Sequence, residues 1–329
     1  MTATADLVIT NGDAASELLR RTLQGAEVLP WHDVLYEGPV PLTETLEDLT
    51  AIRAEYLAGA GGGDLGAIQF ELSARDRGIS MSQGFARVVL WFEHDLYDQL
   101  QLIQILDWFA ANPRADGSLF LIQAQDYIGR QTPEAIEALV GTEKAASQEQ
   151  IQLAKQSWAA FRQPTPVAWA RLRDDDLAAL PFLRPAVVRM LEELPGPDGL
   201  TRTERQMLAT IQAGQITPLA LFVTVQKQEE AVFMGDWSFW RLLDGLAMAD
   251  APLIAGLDAA PFQHDVPELA KPYLTSLLSL TPLGEEVLAG GADWLVYNDI
   301  DLWWGGTHLT NDALWRFDAG EKELIPATQ

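Results

Sequence analysis

Short apolar runs alternate with amphipathic runs over roughly the first 140 residues, which indicates strands and helices in turn. The run LVIT leads into a stretch in which Leu18, Leu19 and Leu23 recur at helical spacing, and the chain then returns through the apolar run AEVL. The runs RVVLWF and SLFLIQ repeat the strand pattern later in the chain. This alternation predicts a three-layer α/β domain, in which helices cover both faces of a mostly parallel sheet.

A different pattern follows at about residues 147–195, where proline interrupts several helix-like runs and no strand is indicated. The segment PGPDG, which starts at Pro195, is the strongest break in the chain. Beyond it, the pattern predicts three helices that open near Thr201, Thr217 and Asp236, then a short strand and a capped helix. This order is typical of a winged-helix domain.

We therefore expect three parts: a Rossmann-like α/β domain over residues 1–145, a helical connector over 146–198 and a winged-helix-like α+β module over 199–329. The chain has 329 residues, which exceeds one typical core and is consistent with more than one domain.

Composition excludes several kinds of chemistry. There is no cysteine, so thiolate nucleophiles, disulfides and cysteine-ligated metals are excluded. The net charge of −25 and the lack of any Lys or Arg run argue against a nucleic-acid partner. No signal-like segment or apolar run of membrane-spanning length is present, so we expect a cytoplasmic protein with no membrane partner.

Acids and histidines follow the predicted strands at the point where each strand ends. They are Asp13, the pair His32 and Asp33, the triplet Glu93, His94 and Asp95, and Asp126. In parallel sheets this edge is where ligands bind, so these side chains predict a site for a small polar molecule or a cation. We assign catalytic roles to His94, Asp13, Glu93 and Asp95, and substrate binding to Asn11, Gly12, His32, Asp33, Glu37 and His308.

Simpler roles compete with these assignments. Asp13 and Asp95 each precede a predicted helix and could cap it. His94 lies between two acids, which would raise its affinity for a proton and suit acid–base work, but it could also be an exposed turn residue. A divalent cation held by Asp13, Asp33 and Asp95 would suit the oxygen-rich composition of this edge, although no regular metal motif is present.

Two other segments bear on ligand binding. The glycine-rich run at residues 59–66 lacks the Lys-Ser/Thr of a phosphate loop, and NGD lacks the glycines of a dinucleotide fingerprint, so nicotinamide chemistry is disfavoured. The tryptophan-rich segment that contains His308 could line a pocket of the first domain or form a β-ribbon that closes the C-terminal module.

The phrases LVITNGDAASELL, PWHDVLYEGPVP and LWFEHDLYDQLQLIQIL resemble the bacterial family called domain of unknown function 1835. Later phrases, among them LTRTERQML and IDLWWGGTHL, look like the region that accompanies this domain in proteobacterial members. The resemblance covers almost the whole chain and implies no activity. It draws attention to Asn11, Gly12, Asp13, Asp33, Glu37, Gly38, Glu93, His94 and Asp95.

Two functions remain open from the sequence. The first is a hydrolase or group transferase, metal-assisted or not, that acts on a small polar or phosphorylated metabolite. The second is a regulatory or interaction protein in which the N-terminal cleft senses a ligand and the winged helix binds protein. Residues 199–329 hold 18 acids against 7 basic residues, so we expect this module to contact protein, including a second subunit, and not DNA.

Overall fold

The computed structural model describes residues 6–257, 261–262 and 267–326. It divides into two units, the first formed by residues 1–188 and 303–308 and the second by residues 189–302 and 309–329. Among the described residues, no helix combines the length and the apolar character needed to cross a bilayer.

The first unit contains a five-stranded sheet. Its strands are β1 (Leu7–Asn11), β2 (Glu27–Trp31), β3 (Val88–Phe92), β4 (Leu119–Gln123) and β5 (Lys144–Ala145). Their order across the sheet is β2-β1-β3-β4-β5; the first four are parallel and β5 is antiparallel to β4. The predicted α/β domain with a mostly parallel sheet is confirmed.

Within the described part of the first unit, five helices lie between these strands in sequence, and three more follow β5. They are α1 (Asp13–Thr22), α2 (Leu46–Gly59), α3 (Leu65–Ser80), α4 (Leu96–Ala111), α5 (Pro133–Leu139), α6 (Gln148–Phe161), α7 (Val167–Arg171) and α8 (Leu183–Leu191). Single 3₁₀ turns lie at Met81–Gly84 and Ile128–Arg130. The helices predicted in the segment at 147–195 are present as α6, α7 and α8, and α6 packs on α4.

The two faces of the sheet are covered by different helices. On one face, Val8, Val89 and Trp91 pack against Leu18 and Leu19 of α1. On the other, α4 is almost wholly buried, including its polar residues Asp98, Gln99, Gln101 and Gln104. Buried polar side chains require hydrogen-bond partners inside the protein. The partners of the polar residues of α4 lie partly at the carboxyl edge of the sheet, where the candidate site is found.

The second unit is built from short elements. Its helices are α9 (Arg202–Gln212), α10 (Pro218–Gln226), α11 (Asp236–Met248), α12 (Pro267–Thr275) and α13 (Pro282–Leu288). Its strands are β6 (Ile254–Ala255), β7 (Ser279–Leu280), β10 (Arg316–Asp318) and β11 (Glu323–Ile325). Thr201 and Glu204 form the predicted capping box at the start of α9, which confirms that helix start.

The tryptophan-rich segment forms a ribbon of two strands, β8 (Asp301–Trp304) and β9 (Thr307–Thr310). Its turn, residues 303–308, belongs to the first unit. Trp304 packs against Phe161 with ring centroids 5.8 Å apart, the Val40 amide donates to the Gly305 carbonyl at 2.7 Å, and the Gly306 amide donates to the Phe161 carbonyl at 3.0 Å.

Gly306 is required by this close approach, because an added Cβ would lie 2.1 Å from the Arg162 carbonyl oxygen. We expect Gly306→Ala to lower the free energy of unfolding by about 1–3 kcal/mol, the usual effect of overpacking. Gly84→Ala is the matched control, since a Cβ there meets nothing within 4 Å. Urea denaturation measures both, and equal stability of the two variants would contradict the proposed fit.

Candidate functional site

The candidate site lies at the carboxyl ends of β1 and β3. The chain leaves β1 for β2 on one side and later places β3 on the other side, so the connections from β1 and β3 diverge at this point. Such a switch point leaves a crevice at the edge of a parallel sheet, and it is the common ligand site of open α/β folds. Asn11 ends β1 here, and Glu93 directly follows β3.

Three carboxyl groups converge at this position. Glu93, Asp95 and Asp98 each place one ligand oxygen within 4.8 Å of the others, and we call them the carboxyl cluster. Their exposed fractions are 3%, 3% and 0%. Asp98 was not predicted from the sequence, although its position three residues after the expected cap Asp95 is the spacing of a helix N-terminal pair.

The local fold holds the cluster by hydrogen bonds. Asp95 caps α4, as predicted, by accepting from the Asp98 amide at 3.2 Å. Asp98 accepts from the Glu93 amide at 2.6 Å and from the Asn11 side chain at 2.5 Å. Glu93 in turn accepts from the Ile128 amide at 2.6 Å. The end of β1, the β3–α4 turn and the 3₁₀ turn after β4 therefore meet at these three acids.

Burial makes charge on the cluster unfavourable. Desolvation, together with the neighbouring Asp95, raises the pKa of Glu93 to about 7. Desolvation also raises the pKa of Asp95 to about 6, against the effect of its backbone hydrogen bonds. Burial and the two other acids hold the pKa of Asp98 well above its usual range. The cluster therefore holds protons near neutral pH, and a divalent cation would favour their release.

His94 lies beside the cluster in the same turn. Its ring contacts Tyr127 and Phe182 at centroid distances of 5.1 and 5.9 Å, and its Nδ1 is buried without a hydrogen-bond partner among the described residues. Burial lowers the pKa of His94, and the nearby Asp126 opposes this only in part. The expectation that its flanking acids raise its proton affinity is wrong, since desolvation dominates and favours the neutral imidazole.

Asp13 and His32 form a separate pair. His32 Nε2 lies 3.1 Å from Asp13 Oδ1, and the Asp13 side chain is 89% exposed. Asp13 does not cap α1: the N-cap position is Gly12, which has no side chain to accept a hydrogen bond. The pair stands at the ends of the neighbouring strands β1 and β2 but is not part of the carboxyl cluster.

Asp33 is buried in an ion pair. Arg53 Nη2 lies 2.8 Å and Arg75 Nη1 3.7 Å from its carboxylate oxygens. Arg53 also donates to the carbonyls of Val34 and Glu37, which fixes the loop after β2. Asp33 thus has two cations beside it, and its surroundings fit a role in holding this loop.

The structure brings only part of the predicted site together. Of the three predicted metal ligands, Asp95 lies in the carboxyl cluster and Asp13 and Asp33 do not. Glu37 accepts a 3.4 Å hydrogen bond from the Tyr56 hydroxyl. His308 is exposed and stacks on Trp303 at 4.4 Å in the turn that packs near Phe161.

The raised pKa of Glu93 predicts a pH-dependent stability. Between pH 4.5 and about 7 the folded protein keeps a proton on Glu93 that the unfolded chain releases, so the free energy of unfolding falls as the pH rises through this window. Glu93→Gln lacks this titration. We expect the variant to gain on the order of 3 kcal/mol relative to the wild type across the window, as measured by urea denaturation at several pH values.

Glu17→Gln is the control for this measurement, because it removes an exposed carboxyl group from α1. We expect it to follow the pH dependence of the wild type. If the Glu93 variant also followed the wild-type curve, Glu93 would not titrate as its burial implies.

Comparison with known proteins adds no assignment to these residues. The chain matches no protein-family model and no curated protein sequence. Membership of the family that the sequence resembles therefore stays a prediction, and the site is interpreted from its own geometry.

Proposed function

We propose that the first unit is a cytoplasmic enzyme that hydrolyses a small polar or phosphorylated metabolite, or transfers a group from it, with the help of a divalent cation. The observation that carries the proposal is the convergence of three buried carboxyl groups at the switch point of the sheet. Buried acids that face one another are unfavourable for stability, and Arg130 offsets this only in part at Asp95, so their retention favours a functional role.

The cation ligands in this proposal are Glu93, Asp95 and Asp98. A donor set made only of oxygen suits Mg²⁺ or Mn²⁺. Such an ion would polarise a phosphoryl or carbonyl oxygen of the substrate and acidify a bound water.

Other residues of the edge would act on the substrate. His94 is favoured in its neutral form by burial, so its imidazole is available to accept a proton as general base. The exposed Asp13–His32 pair offers hydrogen bonds to a polar substrate, and the Gly12 turn lets the substrate approach the backbone. Asp33 acts indirectly in this scheme, by fixing the loop that carries His32.

Cation binding is the first test. Mn²⁺ at about 100 times its Kd should stabilise the wild type by about 2.7 kcal/mol, which a thermal-shift titration detects. Asp95→Asn should weaken Mn²⁺ binding at least tenfold while still capping α4, because asparagine is an equally good cap. Asp13→Asn is the matched control, since this exposed acid lies outside the cluster, and it should bind Mn²⁺ as the wild type does.

Turnover is the second test, and it uses the Glu93 variant. Phosphate release from a panel of phosphomonoesters should require Mn²⁺ or Mg²⁺ and should be lost in Glu93→Gln. No stabilisation by either ion, or equal stabilisation of the Asp95 and Asp13 variants, would contradict the proposal.

A second proposal concerns the other unit, which we propose to be a winged helix that binds protein and not DNA. Support comes from the order of its elements: α9, α10 and α11 precede β6, β7 pairs with β6, and Leu278, just before β7, forms an isolated β-bridge with Ile216. This unit would give the chain a regulatory role if the first unit only senses its ligand.

The surface of this unit supports a protein partner. A DNA-reading helix presents basic or amide side chains, whereas α11 has a single arginine, Arg241, which lies over the Trp237 ring at 4.9 Å. On α10, Leu219 and Val223 are 52% and 45% exposed and lie one turn apart.

We expect the full chain to show no binding to duplex DNA at physiological salt, because its acidic surface repels phosphates. A gel-shift titration with random-sequence duplex at several salt concentrations checks this. Tight binding that weakens steeply as salt is raised would overturn the protein-binding assignment.

A further inference from the structure

A cavity lies in the first unit, away from the carboxyl cluster. Its volume is about 510 Å³, and it is bounded by the start of α2 and the C-terminal parts of α3, α4 and α6. A cavity of this size accommodates a small organic molecule. The residues that decide its chemistry are Gln104, Asp107 and Trp108 on α4 and Trp158 on α6.

Gln104 lines this cavity and carries a buried donor. The side chain is 2% exposed, and its Oε1 accepts from the Trp31 indole Nε1 at 2.9 Å. Because an indole N–H only donates, this bond fixes which end of the amide is oxygen. The Nε2 end has no hydrogen-bond partner among the described residues. A buried N–H without an acceptor is unfavourable, so an oxygen atom of an occupant would satisfy it.

Asp107 supplies an acid one turn further along α4. It is partly buried and makes neither a hydrogen bond nor a close ion pair within the part of the chain that the structure describes. Burial raises the pKa of Asp107, and Arg162 and Lys155 only partly oppose this. The Arg162 guanidinium is directed elsewhere, since its Nε and Nη2 donate to the Pro41 carbonyl at 2.9 and 2.7 Å.

The remaining wall is acidic and aromatic. Glu44, Glu47 and Asp107 line the cavity together with one basic residue, Arg162, and a fourth acid, Asp76, is already paired with Arg75. The negative balance favours a cationic occupant and disfavours an anion. Trp108 offers an indole surface, against which cations and ring carbons bind favourably, whereas the Trp158 ring is buried and already lies beneath the Arg162 guanidinium.

We propose that this cavity binds a small organic amine that carries a hydroxyl or carbonyl oxygen. The ammonium group pairs with Asp107, and the oxygen accepts from Gln104 Nε2. The proposal is independent of the cation site, because the two sites share no residue.

Matched pairs of probes test the charge requirement. Ethanolamine, serinol and glucosamine each have a neutral counterpart in ethylene glycol, glycerol and glucose. Saturation-transfer NMR and calorimetric titration on the full chain should show binding of at least one amine, at least tenfold tighter than its neutral counterpart. No binding by any of the three amines, or equal binding within each pair, would overturn the proposal.

Variants test the residues. Asp107→Asn should reduce amine affinity at least tenfold and should raise the Tm of the ligand-free protein, since it removes a partly buried acid that lacks a close partner. Gln104→Met should reduce the affinity for the amines and for the neutral probes alike, because it removes the donor that contacts the oxygen atom of both. Glu17→Gln, at an exposed position of α1, is the control and should change neither affinity. An Asp107 variant that binds the amines as the wild type does would overturn the assignment.

Discussion

The hydrogen bonds that Asp98 accepts are the interaction on which the site depends. One carboxylate, fully buried at the start of α4, accepts from the backbone after β3 and from Asn11 at the end of β1. These bonds join the carboxyl ends of the neighbouring strands β1 and β3, where the connections that leave the two strands diverge. They also place Asp98 beside Glu93 and Asp95, so the contacts that hold the two strand ends together also bring the three carboxyl groups together.

The sheet and most helices could be predicted because their signals are local. Apolar runs gave β1 to β4, and caps such as Thr201 gave helix starts. Helix α3 has no clear apolar stripe in the sequence, because its buried residues include Arg75 and Asp76, which pair inside the protein. The site was predicted only in position: Glu93 and Asp95 were identified, whereas Asp98 resembled an ordinary helical residue. Asp33 pairs with Arg53 of α2 and does not lie in the carboxyl cluster. The residues at the strand ends carry no information about this contact, because it depends on how α2 packs.

Buried acids in this unit have two kinds of surroundings. Asp33 and Asp76 are paired with arginines, and their charge stabilises the packing of α2 and α3. Glu93, Asp95 and Asp98 face one another, and Asp107 has no close partner. Acids of the first kind are neutralised by basic partners within the fold, whereas acids of the second kind have no basic residue in close contact, and such surroundings favour the binding of a cation.

The turn at residues 303–308 has a consequence for how the polypeptide acquires its native state. Its glycines are needed beside Phe161 and Val40, yet they are synthesised long after the rest of the first unit. A nascent chain that has emerged only as far as α8 lacks this contribution, so its aromatic surface around Trp169 stays incomplete until residues 303–308 have been synthesised. An expression fragment cut after residue 188 would carry the same defect permanently, and a faithful minimal version of the α/β unit must restore the distant hairpin through a linker.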